Sequence, residues 1–287
     1  MAKIRPLNPA LQKIAITELN EDPDNVTMEI ASIRNWIIDQ PKLGKYQISD
    51  QFILSFLRAC KYNHDTVHRK LPNYLNMKSL CPEILANRRA DEEMMDLVRT
   101  GFHLPLSMSS EKNHSRILLS QHGKIDLKDH TVYQGVKLLY MVLEMNLLED
   151  DNTAVAGITC IEDLSGLTFG HVVSMNLMVL KRMLDFVRCG LPHRIKGVHI
   201  INAPWFANGI FNVVRTLLPA KIKSRFYVHS KIEDLYNHVS QKMLPAEFGG
   251  ENETIDDVIK TWEKKMQQYR EYFEHDLQFG TGFEHEV

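Results

Sequence analysis

The sequence predicts an α/β protein in which a small N-terminal helical bundle precedes a larger domain with a mixed β-sheet, flanking helices and a helical lid. Three observations support this fold class. Apolar residues recur at helical spacing over the first third of the chain, short β-branched runs begin after about residue 91, and long helical segments separate those runs. We expect the bundle over residues 1–90, the α/β domain over 91–252 and a C-terminal helix and tail over 253–287.

The helices of the bundle are predicted from apolar spacing and from capping residues. A helix over 27–40 presents isoleucines on one side and stops at Pro41. Ser49 is a suitable N-cap for the apolar segment that follows it, and Asp65 is suitable for the next helix. Pro72 lies inside that last pattern, so it predicts either a kink or the true start of the helix.

The larger domain is predicted from short β-branched runs that alternate with helices. The predicted strands are Ile117–Leu119, Ile158–Ile161 and Val198–Ile201. The predicted helices are Tyr133–Leu148, His171–Cys189 and, after the sheet, Thr254–Phe273. Strands that alternate with helices in this way favour parallel or mixed pairing.

Composition limits the classes of partner and the compartment. With a formal net charge of -2, the chain lacks the overall basic field of nucleic-acid-binding proteins, so we expect no nucleic-acid partner and at most a local anion-binding patch. Its longest apolar stretches, 136–148 and 172–187, are interrupted by charged residues, which argues against a transmembrane helix. The N-terminus lacks the apolar core of a secretory signal, and the 4 cysteines are scattered. We therefore expect a cytoplasmic protein.

The common catalytic motifs are missing from the sequence. It contains no G-x-S-x-G, Walker, G-x-G-x-x-G or H-E-x-x-H pattern. We therefore expect no enzyme, no catalytic residues, no cofactor and no metal. His64 and His68 share a helical face, but a metal site needs further ligands, so we interpret them as surface histidines.

The segment Ala203–Leu218 is apolar around more of its circumference than a single core-facing side requires. One stripe contains Phe206, Ile210, Val213 and Leu217, and the next contains Ala207, Phe211, Val214 and Leu218. Two interpretations remain open. The segment is a fully buried central helix, or it is a lid with a pocket below and a membrane or partner above.

Two short basic runs flank this segment. Arg194 and Lys196 directly precede a predicted strand, while Lys221 and Arg225 follow the break at Pro219 and share a face if the turn is helical. Basic runs on both sides of a doubly apolar helix fit an anionic headgroup site beside a membrane-inserting surface.

The order and spacing of several segments resemble the CRAL-TRIO proteins, the group of retinal-binding and α-tocopherol transfer proteins, and especially their insect members. The resemblance covers nearly the whole chain. The matching segments are Leu7–Pro41, Phe52–Ala59, Asp163–Gly166, Lys196–Pro204, Lys221–Arg225 and Leu244–Gly250. The resemblance implies an N-terminal helical bundle and an α/β lipid-binding domain whose mobile lid is Ala203–Leu218.

The resemblance also implies roles for individual residues. The implied pocket side of the lid is Ala207, Phe211, Val214 and Leu218, and the implied membrane-facing side is Phe169, Val173, Phe206, Ile210 and Val213. The remaining implied pocket wall is Tyr140, Glu144, Ile158, Cys160, Glu162, Met183, Phe186, Val187, Leu191, Ile195, Val198 and Ile200. Glu144 and Glu162 depart from the tocopherol branch. They pair with a donor group of the ligand, or they reach solvent or a basic partner, since burying an unpaired carboxylate is costly.

A basic cleft for phosphatidylinositol bisphosphate is implied by the same family branch. The matching positions are Arg194, Lys196, Lys221 and Arg225, and all four are basic. A further family arginine aligns with Cys60, and we expect the adjacent Lys61 to substitute for it.

The function implied by the resemblance is intracellular binding and transfer of a small hydrophobic ligand that is tocopherol-, retinoid- or carotenoid-like. Phosphoinositide-dependent docking would make the protein a peripheral membrane protein. The alternatives are a phospholipid or phosphatidylinositol transfer protein, as in the yeast branch, and a trafficking adaptor recruited by phosphoinositide.

Overall fold

The N-terminal bundle forms from helices that bury one apolar side, with α2 to α6 in the main core and α1 in a separate cluster. The computed structural model describes residues 4–43, 48–110 and 113–274. Its N-terminal helices are α1 (Pro9–Leu19), α2 (Val26–Asp39), α3 (Asp50–Ala59), α4 (His64–Leu80), α5 (Pro82–Leu85) and α6 (Glu92–Arg99). The predicted isoleucine stripe of α2 is buried at Ile30, Ile33 and Ile37, which anchors this helix to the core.

Capping residues set the ends of these helices. The side chain of Ser49 accepts a hydrogen bond from the backbone N–H of Phe52 at 3.2 Å, as predicted for the start of α3. Asp91 caps α6 in the same way, through the N–H of Met94 at 3.1 Å. α4 begins at His64 and continues through Pro72, so Pro72 is not the start of this helix. The predicted cap at Asp65 is wrong, because Asp65 lies inside the helix and the side chain of Asn63 accepts the N–H of Thr66 at 2.8 Å.

Within the described residues, five strands form one mixed sheet in chain order. The strands are β1 (His103–Ser109), β2 (Arg116–Gln121), β3 (Ile158–Asp163), β4 (Ile195–Ile201) and β5 (Phe226–Val228). β1 and β2 are antiparallel, and the other neighbours are parallel. Sequence reasoning found β2, β3 and β4. It missed β1, which contains Pro105, and β5, which is too short to show an alternating pattern.

The remaining helices flank the sheet. They are α7 (Val132–Glu149), α8 (Phe169–Val173), α9 (Leu177–Cys189), α10 (Ala207–Leu217), α11 (Ala220–Lys223), α12 (Ile232–Tyr236) and α13 (Ile255–Gln268). The prediction of a single helix over His171–Cys189 is wrong. This segment is divided between α8 and α9, because the side chain of Asn176 accepts the N–H of Met178 at 2.7 Å and caps a new helix there.

The register of the sheet brings the predicted pocket residues of β3 and β4 to one face. Cys160 pairs with Val198 and Glu162 pairs with Ile200. Because side chains alternate between the two faces along a strand, these four lie on the same face of the sheet. Helix α10 covers this face, because Ala207 forms a buried cluster with Ile200 and Leu164. A helix therefore lies over the sheet at the position where the sequence predicted a lid.

The start of β3 depends on a close backbone approach. Gly157 has a φ of 93° and precedes Ile158, whose N–H donates to the carbonyl of Arg194 at 2.9 Å. A Cβ on Gly157 would lie 2.1 Å from that carbonyl oxygen. Only glycine tolerates both the positive φ and this distance.

Replacing Gly157 by alanine should therefore separate β3 from the start of β4. We expect Gly157→Ala to lower the free energy of unfolding by at least about 3 kcal/mol, measured by urea denaturation. Gly209→Ala is the matched control, because a Cβ at Gly209 in helix α10 meets nothing within 4 Å. Alanine there should be neutral or stabilise the protein by about 0.5–1 kcal/mol. Equal stability of the two variants would contradict this account of Gly157.

Candidate functional site

Helix α10 presents different degrees of burial around its axis. Ala207 is buried, while Phe211, Val214 and Leu218 are half-buried. The ring of Phe211 contacts that of Phe226 in β5, with a centroid distance of 6.2 Å. These are the residues predicted to face a pocket, and they lie toward β4 and β5.

The outer surface of α10 continues into α8 and the preceding turn. Phe169, Val173 and Val213 have exposed fractions of 65%, 64% and 45%. The ring centroids of Phe169 and Phe206 are 6.3 Å apart, and that of Trp205 is 5.9 Å from Phe206. We call these five residues the outer apolar surface. The side chain of Ile210, also predicted to face a membrane, lies outside the described residues.

Sequence reasoning missed further exposed apolar side chains near this surface. Trp205 is 88% exposed. It directly precedes Phe206 in the sequence, and this aromatic pair could have indicated that Trp205 belongs to the outer apolar surface. Leu177 and Met178 at the start of α9 and Leu217 at the end of α10 are also exposed. Exposed apolar side chains in such number are typical of a contact surface for a membrane or partner. Among the described helices, none is both long and apolar enough to span a membrane.

The predicted pocket wall divides into two groups. Val198, Ile200, Cys160 and Glu162 lie on the sheet face that α10 covers. Tyr140, Phe186 and Leu191 are buried between α7 and α9, with 5.1 Å between the ring centroids of Tyr140 and Phe186. Ile158 is buried and Met183 packs against the same core, while Val187 and Ile195 are half-buried.

A cavity lies between the bundle and helices α7 and α9. Its lining residues are Tyr74, Leu85, Arg88, Tyr140, Glu144, Leu147, Phe186, Leu191 and His193. Four of them, Tyr140, Glu144, Phe186 and Leu191, were predicted as pocket residues. The contributions of the bundle were not predicted, since no local pattern connects α4 and α5 to α7.

Glu144 borders this cavity but its carboxylate is bonded to a basic partner. Arg88 donates to both carboxylate oxygens, at 2.7 and 3.3 Å, and the hydroxyl of Tyr272 donates at 2.6 Å. The hydroxyl of Tyr74 donates as well. Arg88 and Glu144 are both almost fully buried. Of the two sequence interpretations, the structure supports a carboxylate held by a basic partner.

Glu162 is also bonded to a basic side chain. Its carboxylate contacts Nε2 of His122 at 2.7 Å, and both side chains are partly exposed. The two carboxylates that depart from the tocopherol branch are therefore each paired within the protein.

His193 offers an unused acceptor beside the cavity. Its Nε2 lies 3.2 Å from the carbonyl oxygen of Leu143, which requires the proton on Nε2. Burial lowers the pKa of His193 to about 4, so the ring is neutral at physiological pH. Its Nδ1 is then an acceptor, and this buried atom has no hydrogen-bond partner among the described residues. Sequence reasoning placed His193 only in a basic run.

Five predicted basic residues meet at one end of β4. Burial and the charges of Arg225, Arg194, Lys61 and Lys196, in that order, lower the pKa of Lys221. Lys221 therefore lies within electrostatic range of the other four cations. We call all five residues the basic cleft. Like charges gathered in this way on a chain of net charge -2 make a local anion-binding surface.

Lys61 lies between two residues, Arg58 and Tyr62, that both bond to the buried carboxylate of Glu21. Nε of Arg58 donates to Glu21 at 2.7 Å, and the hydroxyl of Tyr62 donates to the same carboxylate at 2.8 Å. Burial alone would raise the pKa of Glu21, but the bonds from Arg58 and Tyr62 bring it below its usual value. Cys60, which aligns with a family arginine, is buried, so the exposed side chain here is Lys61.

A carboxylate from α1 also enters the basic cleft. Oε2 of Glu18 accepts from Arg194 at 2.7 Å and from Lys196 at 3.2 Å. The bond from Arg194 is the main cause that holds the pKa of Glu18 below its usual value. Sequence reasoning missed Glu18, because 176 residues separate it from Arg194.

The histidines considered as a metal pair have other partners. His64 contacts Glu29 at 2.5 Å, and the ring of His68 stacks on Trp36 with a centroid distance of 4.1 Å. Within the part of the chain that the structure describes, no group of three or more potential ligands is arranged to hold a metal.

Comparison with known proteins adds two family matches. Residues 105–250 match the CRAL/TRIO domain, which includes the sheet, α10 and most of the basic cleft. Residues 22–95 match the Pinta-like UBA domain, which includes α2 to α5.

Similar proteins are found over most of the chain. Clavesin-2 of Homo sapiens is 27% identical over 263 residues, which are 91% of this chain and 79% of that protein. The alpha-tocopherol transfer protein-like protein of Mus musculus is 27% identical over 234 residues, covering 81% and 67%. The crystal structure of Sfh5 has a TM-score of 0.57 at 15% identity and covers 80% of this chain and 90% of that chain, which supports the fold.

Breaking the buried ion pair at the cavity should destabilise the protein. We expect Arg88→Met to cost about 3–5 kcal/mol in urea denaturation, because Glu144 would keep a buried charge without its cation. Arg89→Met is the matched control, since Arg89 is exposed, and it should change stability by less than about 0.5 kcal/mol. Adding Glu144→Gln to Arg88→Met should recover part of the loss. A double variant less stable than Arg88→Met alone would argue against an uncompensated charge.

Proposed function

Because the chain belongs to the CRAL/TRIO domain family of lipid-binding and lipid-transfer proteins, we propose that it carries one small hydrophobic ligand and exchanges it at phosphoinositide-bearing membranes. One observation carries this proposal above the others. The basic cleft lies directly beyond the lid helix α10, and the outer apolar surface lies on that helix, on α8 and in the turn before α10.

The ligand would lie between α10 and the sheet face of β3 and β4. The half-buried side chains of Phe211, Val214 and Leu218 support this, since they remain available for apolar contact. Each Å² of apolar surface removed from water contributes about 25 cal/mol, which suffices to hold a small apolar molecule. Ligand exchange then requires α10 to move away from Ile200.

The polar end of the ligand would lie toward the cavity. Nδ1 of His193 is a buried neutral acceptor there, and it suits a ligand that donates one hydroxyl hydrogen. Arg88 and Glu144 already bond to each other, which disfavours a charged headgroup at the same position. This supports a hydrophobic alcohol of the tocopherol or retinoid kind over a phospholipid.

Membrane docking would open the lid by differential binding. The outer apolar surface gains contact with lipid only when the protein is docked, and the basic cleft gains a phosphate. If the open lid exposes more apolar surface to the bilayer, the membrane favours that state. The proposed cycle contains binding steps only and no covalent step.

The cleft is tested by a charge-removing pair of substitutions. We expect Lys221→Ala/Arg225→Ala to reduce binding to vesicles containing phosphatidylinositol bisphosphate at least about tenfold, because two phosphate contacts are lost. Ligand transfer between vesicles should slow in parallel. Lys223→Ala is the matched control, since Lys223 is an exposed lysine of the same helix. Unchanged binding of the double variant would remove the cleft from the proposal.

The outer apolar surface is tested by placing a charge on it. Phe169→Asp and Trp205→Asp should each weaken vesicle binding about tenfold or more, because a carboxylate does not enter the bilayer interface. Met28→Asp is the control, because Met28 is a 64% exposed apolar residue of α2 in the bundle. Vesicle flotation measures the fraction bound. Equal loss in all three variants would indicate a general effect of added charge.

Native mass spectrometry of the purified protein identifies the ligand. A bound retinoid, tocopherol or carotenoid supports the proposal. A stoichiometric phospholipid would make it a phospholipid transfer protein instead. An empty pocket with intact phosphoinositide binding would make it an adaptor recruited to membranes.

A further inference from the structure

The basic cleft already contains one anion that belongs to the protein. The carboxylate of Glu18 contacts Arg194 at 2.7 Å and Lys196 at 3.2 Å. Both cations are only 17% exposed, whereas Glu18 is 45% exposed. A phosphate approaching these two cations therefore meets a carboxylate that is already bonded to them.

The local sequence does not favour a carboxylate at this place. Glu18 lies in the last turn of α1, where the negative end of the helix dipole disfavours an anion. Its side chain is held instead by the two cations of the cleft. The helix itself is held separately, because Leu11, Ala15 and Leu19 pack against Val155 and Ala156. The side chain of Glu18 can therefore leave the cations while α1 stays in place.

Four of the five cations of the cleft therefore form two halves, while Arg225 donates to the carbonyl oxygen of Ile195. Arg194 and Lys196 are occupied by Glu18, whereas Lys61 and Lys221 make no ion pair with any described residue. Lys61 and Lys221 are exposed and near each other. A first phosphate can bind this open half, and a second phosphate needs the half that Glu18 occupies.

We propose that Glu18 is an internal competitor for phosphate at Arg194 and Lys196, so that a lipid headgroup engages the whole cleft only by displacing it. This inference rests on the proposed phosphoinositide function. It assigns Glu18 the role of setting how much affinity a second phosphate adds. Anions of low charge, which do not displace Glu18, bind the open half alone.

The test compares lipids that differ in phosphate number. Glu18→Gln should bind vesicles containing phosphatidylinositol bisphosphate about fivefold more tightly than the unaltered protein, since no carboxylate then competes for Arg194 and Lys196. Binding to vesicles containing phosphatidylinositol monophosphate should change less than about twofold. Glu251→Gln, which removes the same charge from an exposed site, is the control and should leave both affinities unchanged.

Each outcome separates this inference from the proposed function. If Lys221→Ala/Arg225→Ala loses binding while Glu18→Gln binds as the unaltered protein does, the cleft stands and the competitor role is overturned. Weaker binding by Glu18→Gln overturns it as well, because Glu18 would then position the cations. If Lys221→Ala/Arg225→Ala binds normally, the cleft assignment fails and this inference falls with it.

A proton measurement gives a second readout that a purely structural role would not move. Arg194 and Lys196 are the charged groups that face Glu18, and they keep its pKa low in the free protein. Displacement by phosphate removes them and lets that pKa rise toward the usual value of 4.5, so near that pH Glu18 adds a contribution of proton uptake to binding. Calorimetry of inositol 1,4,5-trisphosphate in two buffers of different ionisation enthalpy should show more proton uptake by the unaltered protein than by Glu18→Gln, because the titration of the phosphates is common to both. Equal proton uptake by both proteins would overturn the proposal.

Discussion

The buried ion pair between Arg88 and Glu144 joins the parts of the chain from which the candidate site is built. Arg88 follows the bundle helix α5, Glu144 lies in α7, and Tyr272 reaches the same carboxylate from beyond α13. Taking two charges out of water costs free energy that only good geometry offsets. The pair therefore orients the bundle against the α/β domain, and this orientation brings Lys61 to the cations of β4.

The basic cleft works against the stability of the fold that holds it. Burial, and after it the repulsion of neighbouring cations, lowers the pKa of Lys196 and Lys221, so holding both charged costs free energy in the resting protein. Glu18 reduces the cost by contributing the carboxylate that contacts Arg194 and Lys196. Because Glu18 already pairs with two of these cations, a phosphate that binds Arg194 and Lys196 would gain less than it would gain from cations without a partner.

Local patterns predicted those parts of the protein whose structure is decided locally. The apolar stripe of α2 predicted that helix, and the β-branched run of β3 predicted a buried strand. The basic residues were found because Lys221 and Arg225 recur at helical spacing and resemble a family motif. The pairs Glu18–Arg194 and Arg88–Glu144 span 176 and 56 residues, and no local pattern predicts which charges the fold brings together.

Helix α10 has two apolar sides, one packed toward the sheet and one exposed to solvent. In water, α10 buries Ala207 against Ile200 and leaves Val213 exposed. Moving it outward would expose the inner stripe as well, and water opposes that exposure. In the proposed cycle a bilayer would remove this opposition, since lipid contact would replace burial for whichever stripe faces it. The same helix would then be stable as a closed lid in solution and as an open one at a membrane, and the membrane would select between them.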